Sequence, residues 1–404
     1  MSGLTFTPRG MDATASAAAI EEWINPLNIL ESEYANTEDA ILGVSYPHNR
    51  PSATARLHDD GRFACALVGD PVTDGNFEWS RLVQQLAEGR DGAVEFQKLG
   101  GSFAIAVVDR KESRLLVATD ALGIQPVYVR QAPDGPVVST SYAAMAGYGD
   151  QAPAVDPAWV YEYLFFNYPV MQQTLFSGVD RLPASSIWSC DLRTGKSHCS
   201  RYAEYVSMEP MSSSQDEQVA DAVELFEQVV PNWFQSDVPV AMGLSGGLDS
   251  RAVLAAVPES QLNNLTTFTY GIPGSTEVTE ARQITDAMGI DHREIFLQDE
   301  FLEKLPELLF DTVYLSDGLQ VINRSNLPLV YGAVASGERP ASAILTGVSG
   351  DHVFRDHLSA WGNVPYLISA DVAAMHREGR RPIDRSRYKS IFVGSIDGIA
   401  ASLE

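Results

Sequence analysis

The chain is short of positive charge. Its 404 residues include 28 Lys and Arg against 53 Asp and Glu, a formal charge of −25, and only five of the cations are lysines. That deficit excludes a nucleic-acid binder working by phosphate neutralisation and disfavours docking on anionic membranes. The acid excess is spread along the chain, so any nucleotide site must be assembled locally. An acidic, lysine-poor surface suits a salt-rich cytoplasm; a GC-rich genome is the competing reading. Cysteine is scarce as well. Cys65, Cys190 and Cys199 form an odd set with no Cys-x-x-Cys pair, which leaves neither a disulfide framework nor a zinc site. Apolar runs long enough to span a bilayer, about eighteen residues, are missing, and the N-terminal stretch lacks the pattern of a secretory leader. The expectation is a protein of the reducing cytoplasm. Internal repeats and low-complexity tracts are also missing.

What remains, 45% apolar and 20% charged residues, is an ordinary globular composition, and the length fits two or three domains. From Ala40 to about Tyr202 short β-like runs dominate: Ile41–Tyr46, Phe63–Val68, Ser102–Val108, Leu115–Ala118, Pro126–Val129 and Ile187–Cys190. One helical interlude, Asp156–Phe166, opens with an N-cap-like Asp followed by Pro and reads as a connector. The polar, Ser-rich segment 207–218 marks a boundary. Beyond it strands and helices alternate: Val238–Leu244, Ser250–Ala256, Leu265–Tyr270, Glu277–Met288, Glu294–Leu297, Phe301–Tyr314, Leu327–Ala335 and Ala343–Thr346. Such alternation means βαβ units and a parallel sheet.

The chemistry concentrates where the first of these strands ends. Leu244, Ser245, Gly246 and Gly247 form a glycine-rich turn that runs into a helix carrying Asp249 and Ser250. Small residues let backbone N–H groups approach an anion, and the helix dipole points at the same spot. The turn lacks the Lys-Ser/Thr of a Walker loop and the spacing of a dinucleotide fold. A carboxylate at Asp249 inside a phosphate cradle calls for a bridging divalent cation, Mg2+. The plainer alternative is a tight turn before a helix. A second loop repeats the logic: after the strand at Ala343–Leu345, Gly347 and Gly350 allow a turn and Asp351 opens a helix. Two such loops belong at neighbouring strand C-termini, where Asp249 and Asp351 would share Mg2+ on the ATP phosphates; otherwise Asp351 is a helix cap. His352 and His357, five apart on a helix, point to different faces and do not make a metal site. His292 is read as packing in the fold or touching ATP, not as a base.

Ser245-Gly-Gly-Leu-Asp-Ser250 resembles the PP-loop of the ATP pyrophosphatases, and further segments narrow the resemblance to the asparagine synthetase family. These are Thr267-Phe-Thr-Tyr-Gly271, Glu280-Ala-Arg282 with Gly289 and His292, Arg324-Ser-Asn-Leu-Pro328, and Leu345-Thr-Gly-Val-Ser-Gly-Asp351-His-Val-Phe354. In the strand-rich half, Gly101–Asp109, Asp120–Tyr128 and Thr174–Pro183 resemble the class II glutamine amidotransferase domain that precedes the synthetase domain in this family. The resemblance implies an α/β protein. An N-terminal Ntn-type αββα amidotransferase-like domain (1–206) would be joined by a linker (207–218) to a parallel-sheet, HUP-like PP-loop synthetase domain (219–404). It also implies ATP and Mg2+ as cofactors, with Leu244, Ser245, Gly246, Gly247, Asp249, Ser250 and Gly347 on the nucleotide and Asp249 and Asp351 as metal ligands and catalytic groups.

Several positions depart from the family pattern. Ser2 stands where the amidotransferase nucleophile is Cys, and a hydroxyl paired with a weak amine base is a poorer nucleophile. Val68-Gly69-Asp70 replaces an Asn-Gly pair that binds glutamine, and Gly100 replaces an Asp that grips its amino group. The expectation is a domain without glutaminase activity, as in the β-lactam and lasso-peptide macrolactam synthetases. Val348 replaces a Glu of the second signature. Arg324 falls in a family helix start, and Lys389 is the sole Lys among the 53 residues after Asp351, where the family brings a Lys into its site; a short or truncated C-terminus is the reading there. The implied activity is AMP-forming amide ligation between a small-molecule or peptide carboxylate and an amine or ammonia. Asparagine formation, a specialised lactam synthetase and a non-catalytic nucleotide-binding relic are the three readings. Nucleic acid and membrane are not expected partners, and a homo-oligomer is left open.

Overall fold

A computed structural model describes residues 3–8, 30–37, 40–47, 55–73, 78, 81–82, 84–85, 93–148, 153–166, 174–203, 213–234, 239–319, 322–336 and 339–348. The chain packs as two compact units, Met1–Pro239 with Leu297–Ser342, and Val240–Phe296 with Ala343–Glu404.

The strand-rich half of the first unit follows from period-2 patterning. Its strands are β1 (Gly3–Pro8), β2 (Leu30–Asn36), β3 (Ala40–Pro47), β4 (Ala55–Asp59), β5 (Phe63–Thr73), β6 (Leu99–Asp109), β7 (Arg114–Thr119), β8 (Tyr128–Ala132), β9 (Gly135–Ser139), β10 (Val179–Arg181), β11 (Ser186–Asp191) and β12 (Ser197–Arg201). They form two six-stranded antiparallel sheets, ordered β10-β8-β9-β1-β3-β2 and β12-β11-β7-β6-β5-β4. Alternate residues face opposite ways along a strand. On β5, Ala64, Ala66 and Val68 therefore pack with Ala104, Ala106 and Val108 of β6 against Leu4, Phe6, Leu42 and Val44 of the other sheet. Phe63, Cys65 and Leu67 turn the other way, onto Leu82 and onto Phe96 of the helix Ala93–Phe96. The outer face of the first sheet is covered by Tyr142, Ala144 and Met145 of the helix Tyr142–Gly147. Both sheets are thus buried on both faces, which gives the αββα layering expected from the sequence.

The helix Pro157–Phe166 forms where the Asp-Pro signal places it, and an Asp156 carboxylate oxygen accepts from the Ala158 N–H at 2.8 Å. The next helix begins at Gln215, inside the polar segment 207–218 read as a boundary. Ser214 and Glu217 explain this by a capping box: the Glu217 N–H donates to Ser214 Oγ at 3.3 Å and the Ser214 N–H to Glu217 Oε2 at 2.8 Å.

In the first unit, the helix Asp299–Leu315 ends in a left-handed pair, Asp317 (φ 58°) and Gly318 (φ 74°). The Asp317 carboxylate reaches the start of the helix Tyr142–Gly147, where it accepts from Ser141 Oγ at 3.2 Å, from the Ala143 N–H at 2.9 Å and from the Tyr142 N–H. These amides belong to a first helical turn and have no partner within their helix, so one carboxylate satisfies donors that would otherwise be orphaned. Burial pushes the Asp317 carboxyl upward, against the pull of those donors.

The second unit holds a four-stranded parallel sheet of β13 (Val240–Gly243), β14 (Thr266–Gly271), β15 (Asp291–Phe296) and β16 (Ala343–Leu345), in the order β15-β14-β13-β16. The helices Leu248–Ala255 and Thr276–Met288 connect consecutive strands as the alternating pattern predicts. Among the described residues no helix is long and apolar enough to cross a membrane.

Candidate active site

The glycine-rich turn leaves the C-terminal end of β13. Leu244 is buried and anchored from both sides: its N–H donates to Phe268 O at 2.9 Å, and Thr269 Oγ1 donates to its carbonyl. Beyond it the turn is organised by two hydroxyls. Ser250 Oγ accepts from the Ser245 N–H at 3.1 Å, and Ser245 Oγ accepts from the Gly247 N–H at 3.2 Å. Ser250 is buried, so it acts as the peg around which the loop wraps. Gly247 is the N-cap of the helix Leu248–Ala255 and offers no side chain to its first turn. An uncapped helix start with Asp249 in that turn leaves backbone donors and the positive dipole end directed at the loop mouth.

Two close approaches shape this mouth. A Cβ at Gly246 would overlap the Glu280 carboxylate of the helix Thr276–Met288. A Cβ at Gly347 would lie 2.6 Å from the Asp249 carbonyl carbon and 2.6 Å from the Ser250 nitrogen. The second approach follows from strand order: β16 pairs in parallel with β13, Val240 against Ala343 and Met242 against Leu345, so both loops emerge from the same edge of the sheet. Thr346, Gly347 and Val348 then cross over the start of the helix that carries Asp249, and the Val348 side chain is exposed.

Of the residues singled out in the sequence, the structure brings together Leu244, Ser245, Gly246, Gly247, Asp249, Ser250 and Gly347. Asp351, Ser2 and Lys389 lie outside the described residues. Arg324 is exposed at the end of a 3-10 turn, Ile322–Arg324, in the first unit. His292 sits on β15 with its Nδ1 2.8 Å from Thr267 Oγ1, and burial lowers its pKa. Glu280 is a neighbour of the loop that the sequence reading did not single out as a site residue. Only its helix had been recognised, because no local pattern says which loop a helix face will meet.

The donor set fits a polyphosphate with a divalent cation. Hydroxyls and uncapped amides suit phosphate oxygens, Gly247 sets no side chain in their way, and Asp249 supplies a hard oxygen ligand.

In the amidotransferase-like half, Val68 is fully buried between the two sheets, so its side chain faces the core. Gly69 (φ 101°) and Gly101 (φ 76°) are left-handed, and a Cβ on either would strike a carbonyl oxygen of the neighbouring strand. Asp120 of the second amidotransferase motif is fully buried and structural, accepting from the N–H groups of Leu122 at 3.0 Å, Ile124 at 2.9 Å and Gln125 at 2.8 Å. Burial pushes the Cys65 thiol up to about 12 and raises Cys190, so neither is a thiolate nucleophile.

Comparisons with known proteins agree with these features. The sequence model of the asparagine synthase family matches residues 221–382, and that of the glutamine amidotransferase domain matches residues 82–203. A putative glutamine-hydrolysing asparagine synthetase of Mycobacterium tuberculosis is 26% identical over 303 residues, covering 72% of this chain and 43% of that protein. The carboxyethyl-arginine beta-lactam-synthase of Streptomyces clavuligerus is 29% identical over 332 residues, covering 81% of this chain and 56% of that protein. The chain therefore spans about half the length of the curated relatives it matches. Matched over segments in both of its halves, the chain is similar to the asparagine synthetase family, with a segment that matches the glutamine amidotransferase domain ahead of one that matches the asparagine synthase domain.

Proposed function

We propose that this protein is a cytoplasmic ATP-dependent, AMP-forming amide ligase whose reaction is run by the 219–404 domain, with the 1–206 domain as a scaffold and 207–218 as the link. The observation that carries the reading is the seating of Gly347 on the Asp249–Ser250 peptide, which sets the second signature loop over an uncapped phosphate cradle. A triphosphate would lie on Ser245, Gly246, Gly247 and Ser250. Asp249 and Asp351 would hold Mg2+, which supplies charge neutralisation for the phosphates.

A substrate carboxylate oxygen then attacks the α-phosphorus, the bond from that phosphorus to the bridging oxygen breaks, and pyrophosphate leaves. The loop's N–H groups stabilise the negative charge gathering on the departing group. An amine or ammonia next attacks the acyl carbon of the acyl-adenylate, AMP leaves with the electron pair of the broken C–O bond, and the amine's proton passes to solvent. The products are an amide, AMP and pyrophosphate.

A second reading, a specialised lactam synthetase whose amine is already on the substrate, is favoured by Ser2, by the inward-facing Val68 and by Val348. The similarity to a protein named as a beta-lactam synthase supports it. Pyrophosphate release in the presence of ATP, Mg2+ and single candidate acids separates the readings. Release with aspartate supports asparagine formation, release only with an amino-bearing acid supports the lactam reading, and ATP binding without release with any acid defeats both and leaves a nucleotide-binding relic.

A further inference from the structure

At one end of the two-sheet sandwich, four turns meet around a cavity of about 450 Å3. Thr37 comes from the β2–β3 turn, Arg62 from the β4–β5 turn, Arg110, Lys111 and Ser113 from the β6–β7 turn, and Leu192 from the β11–β12 turn. This is the end away from Gly3: Gly3 pairs with Ser45, whereas Pro8 pairs with Ala40 near Thr37. It is also the end away from Gly69, since Phe63 begins β5 on the cavity side.

The two arginines are held by reciprocal pairs between hairpins. Arg62 grips Asp109 with two bonds, Nε to Oδ1 at 3.3 Å and Nη2 to Oδ2 at 3.0 Å. Arg110 grips Asp59 in return, Nη1 to Oδ1 at 2.7 Å and Nη2 to Oδ2 at 2.5 Å. Each hairpin thus fixes the cation of the other. A bidentate carboxylate occupies only part of a guanidinium's fork of N–H groups, so the arginines arrive oriented with donors to spare. Lys111 adds a charge that its neighbour Glu112, 3.9 Å away and itself exposed, neutralises weakly. Among the described residues no Asp or Glu side chain lines the cavity, and Leu192 with the buried Val108 gives it an apolar floor.

In a chain carrying −25, a cavity lined by three cations and two hydroxyls is a local concentration of donors, the arginine charges being shared with Asp109 and Asp59 and that of Lys111 only weakly offset by Glu112. Its volume falls in the range of about 300–1,000 Å3 that holds small metabolites. We propose that this end of the amidotransferase-like domain is a binding site for a small organic dianion, with Lys111 and the outward N–H groups of Arg62 and Arg110 taking the anionic oxygens and Val108 and Leu192 receiving the carbon body. Phosphomonoesters and dicarboxylates share that chemistry.

The test is isothermal titration calorimetry of the full chain at low ionic strength, with glycerol 2-phosphate in one arm and succinate in the other. Binding in either arm, weakened roughly tenfold or more by Lys111→Glu and lowered by salt, is the expected result, and the arm that binds names the source. Lys111 is well exposed, so the variant is expected to melt with the wild type, and a melting curve checks this. Asp249→Asn is expected to bind the same anion unchanged. No heat in either arm up to about 10 mM, or binding that Lys111→Glu leaves untouched, overturns the proposal.

Discussion

Gly347 lies directly on the peptide that joins Asp249 to Ser250, with no room for a methyl group between them. Through this contact, the second loop of the synthetase domain is positioned by the backbone of the first.

The contact makes Gly347→Ala a geometric probe. A Cβ there must push the two loops apart, and overpacking of this kind costs about 1–3 kcal/mol of stability. Displacing reacting groups by about 1 Å costs on the order of 100-fold in rate. The variant is therefore expected to fold, to melt a few degrees lower and to lose about two orders of magnitude in ATP-dependent pyrophosphate release. An unchanged rate would show that the two loops do not act together.

Asp249→Asn keeps the shape of the first helical turn and removes the charge. Pyrophosphate release is expected to fall by about 100- to 1,000-fold, as when a group aimed at transition-state charge is lost. The Mg2+ concentration for half-maximal nucleotide binding should rise, which a fluorescent ATP analogue titrated with Mg2+ reads without turnover. The same metal dependence in variant and wild type would remove Asp249 from the cation site.

The Asp59–Arg110 pair predicts a pH dependence. The side-chain hydrogen bond from Arg110 lowers the Asp59 carboxyl from an ordinary 3.8 to about 2. A carboxyl depressed in the folded state contributes stability that is fully present above the unfolded value and disappears as pH falls through the folded one. The stability difference between wild type and Arg110→Met should be full above about pH 4 and shrink towards pH 2. Urea unfolding at a series of pH values checks this, and an equal difference at all pH values contradicts it.

Asp317 offers a prediction about stability alone. Asp317→Ala leaves the Tyr142 and Ala143 N–H groups of a buried helix start without their acceptor, at a cost of about 1–3 kcal/mol. The midpoint of urea unfolding should fall accordingly. Asp317→Asn, which retains one acceptor oxygen, should lie between the two.

The glycine-rich turn was legible in the sequence because its geometry is local: a strand, three small residues and a helix follow one another within a dozen positions. The strands of the sandwich were legible where alternation was clean, as in Ile41–Tyr46 against the observed Ala40–Pro47. Reading stopped short on β5, expected to end at Val68 but running on to Thr73, because Gly-Asp-Pro looks like a breaker. The left-handed Gly69 instead lets the strand continue against β6. Asp317 could not have been read as a helix cap, since its partners lie more than 170 positions earlier. The reciprocal arginine pairs were equally invisible, because each spans about 50 positions and depends on which hairpins become neighbours.

A carboxylate that displaces pyrophosphate from ATP leaves one of its own oxygens on the AMP, which an isotope experiment reads. With the acid that supports turnover labelled with 18O in its carboxylate, the expected products are AMP and pyrophosphate in equal amounts, with one labelled oxygen in the AMP phosphate, read by 31P NMR. ADP and inorganic phosphate as products, or AMP without label, would contradict it.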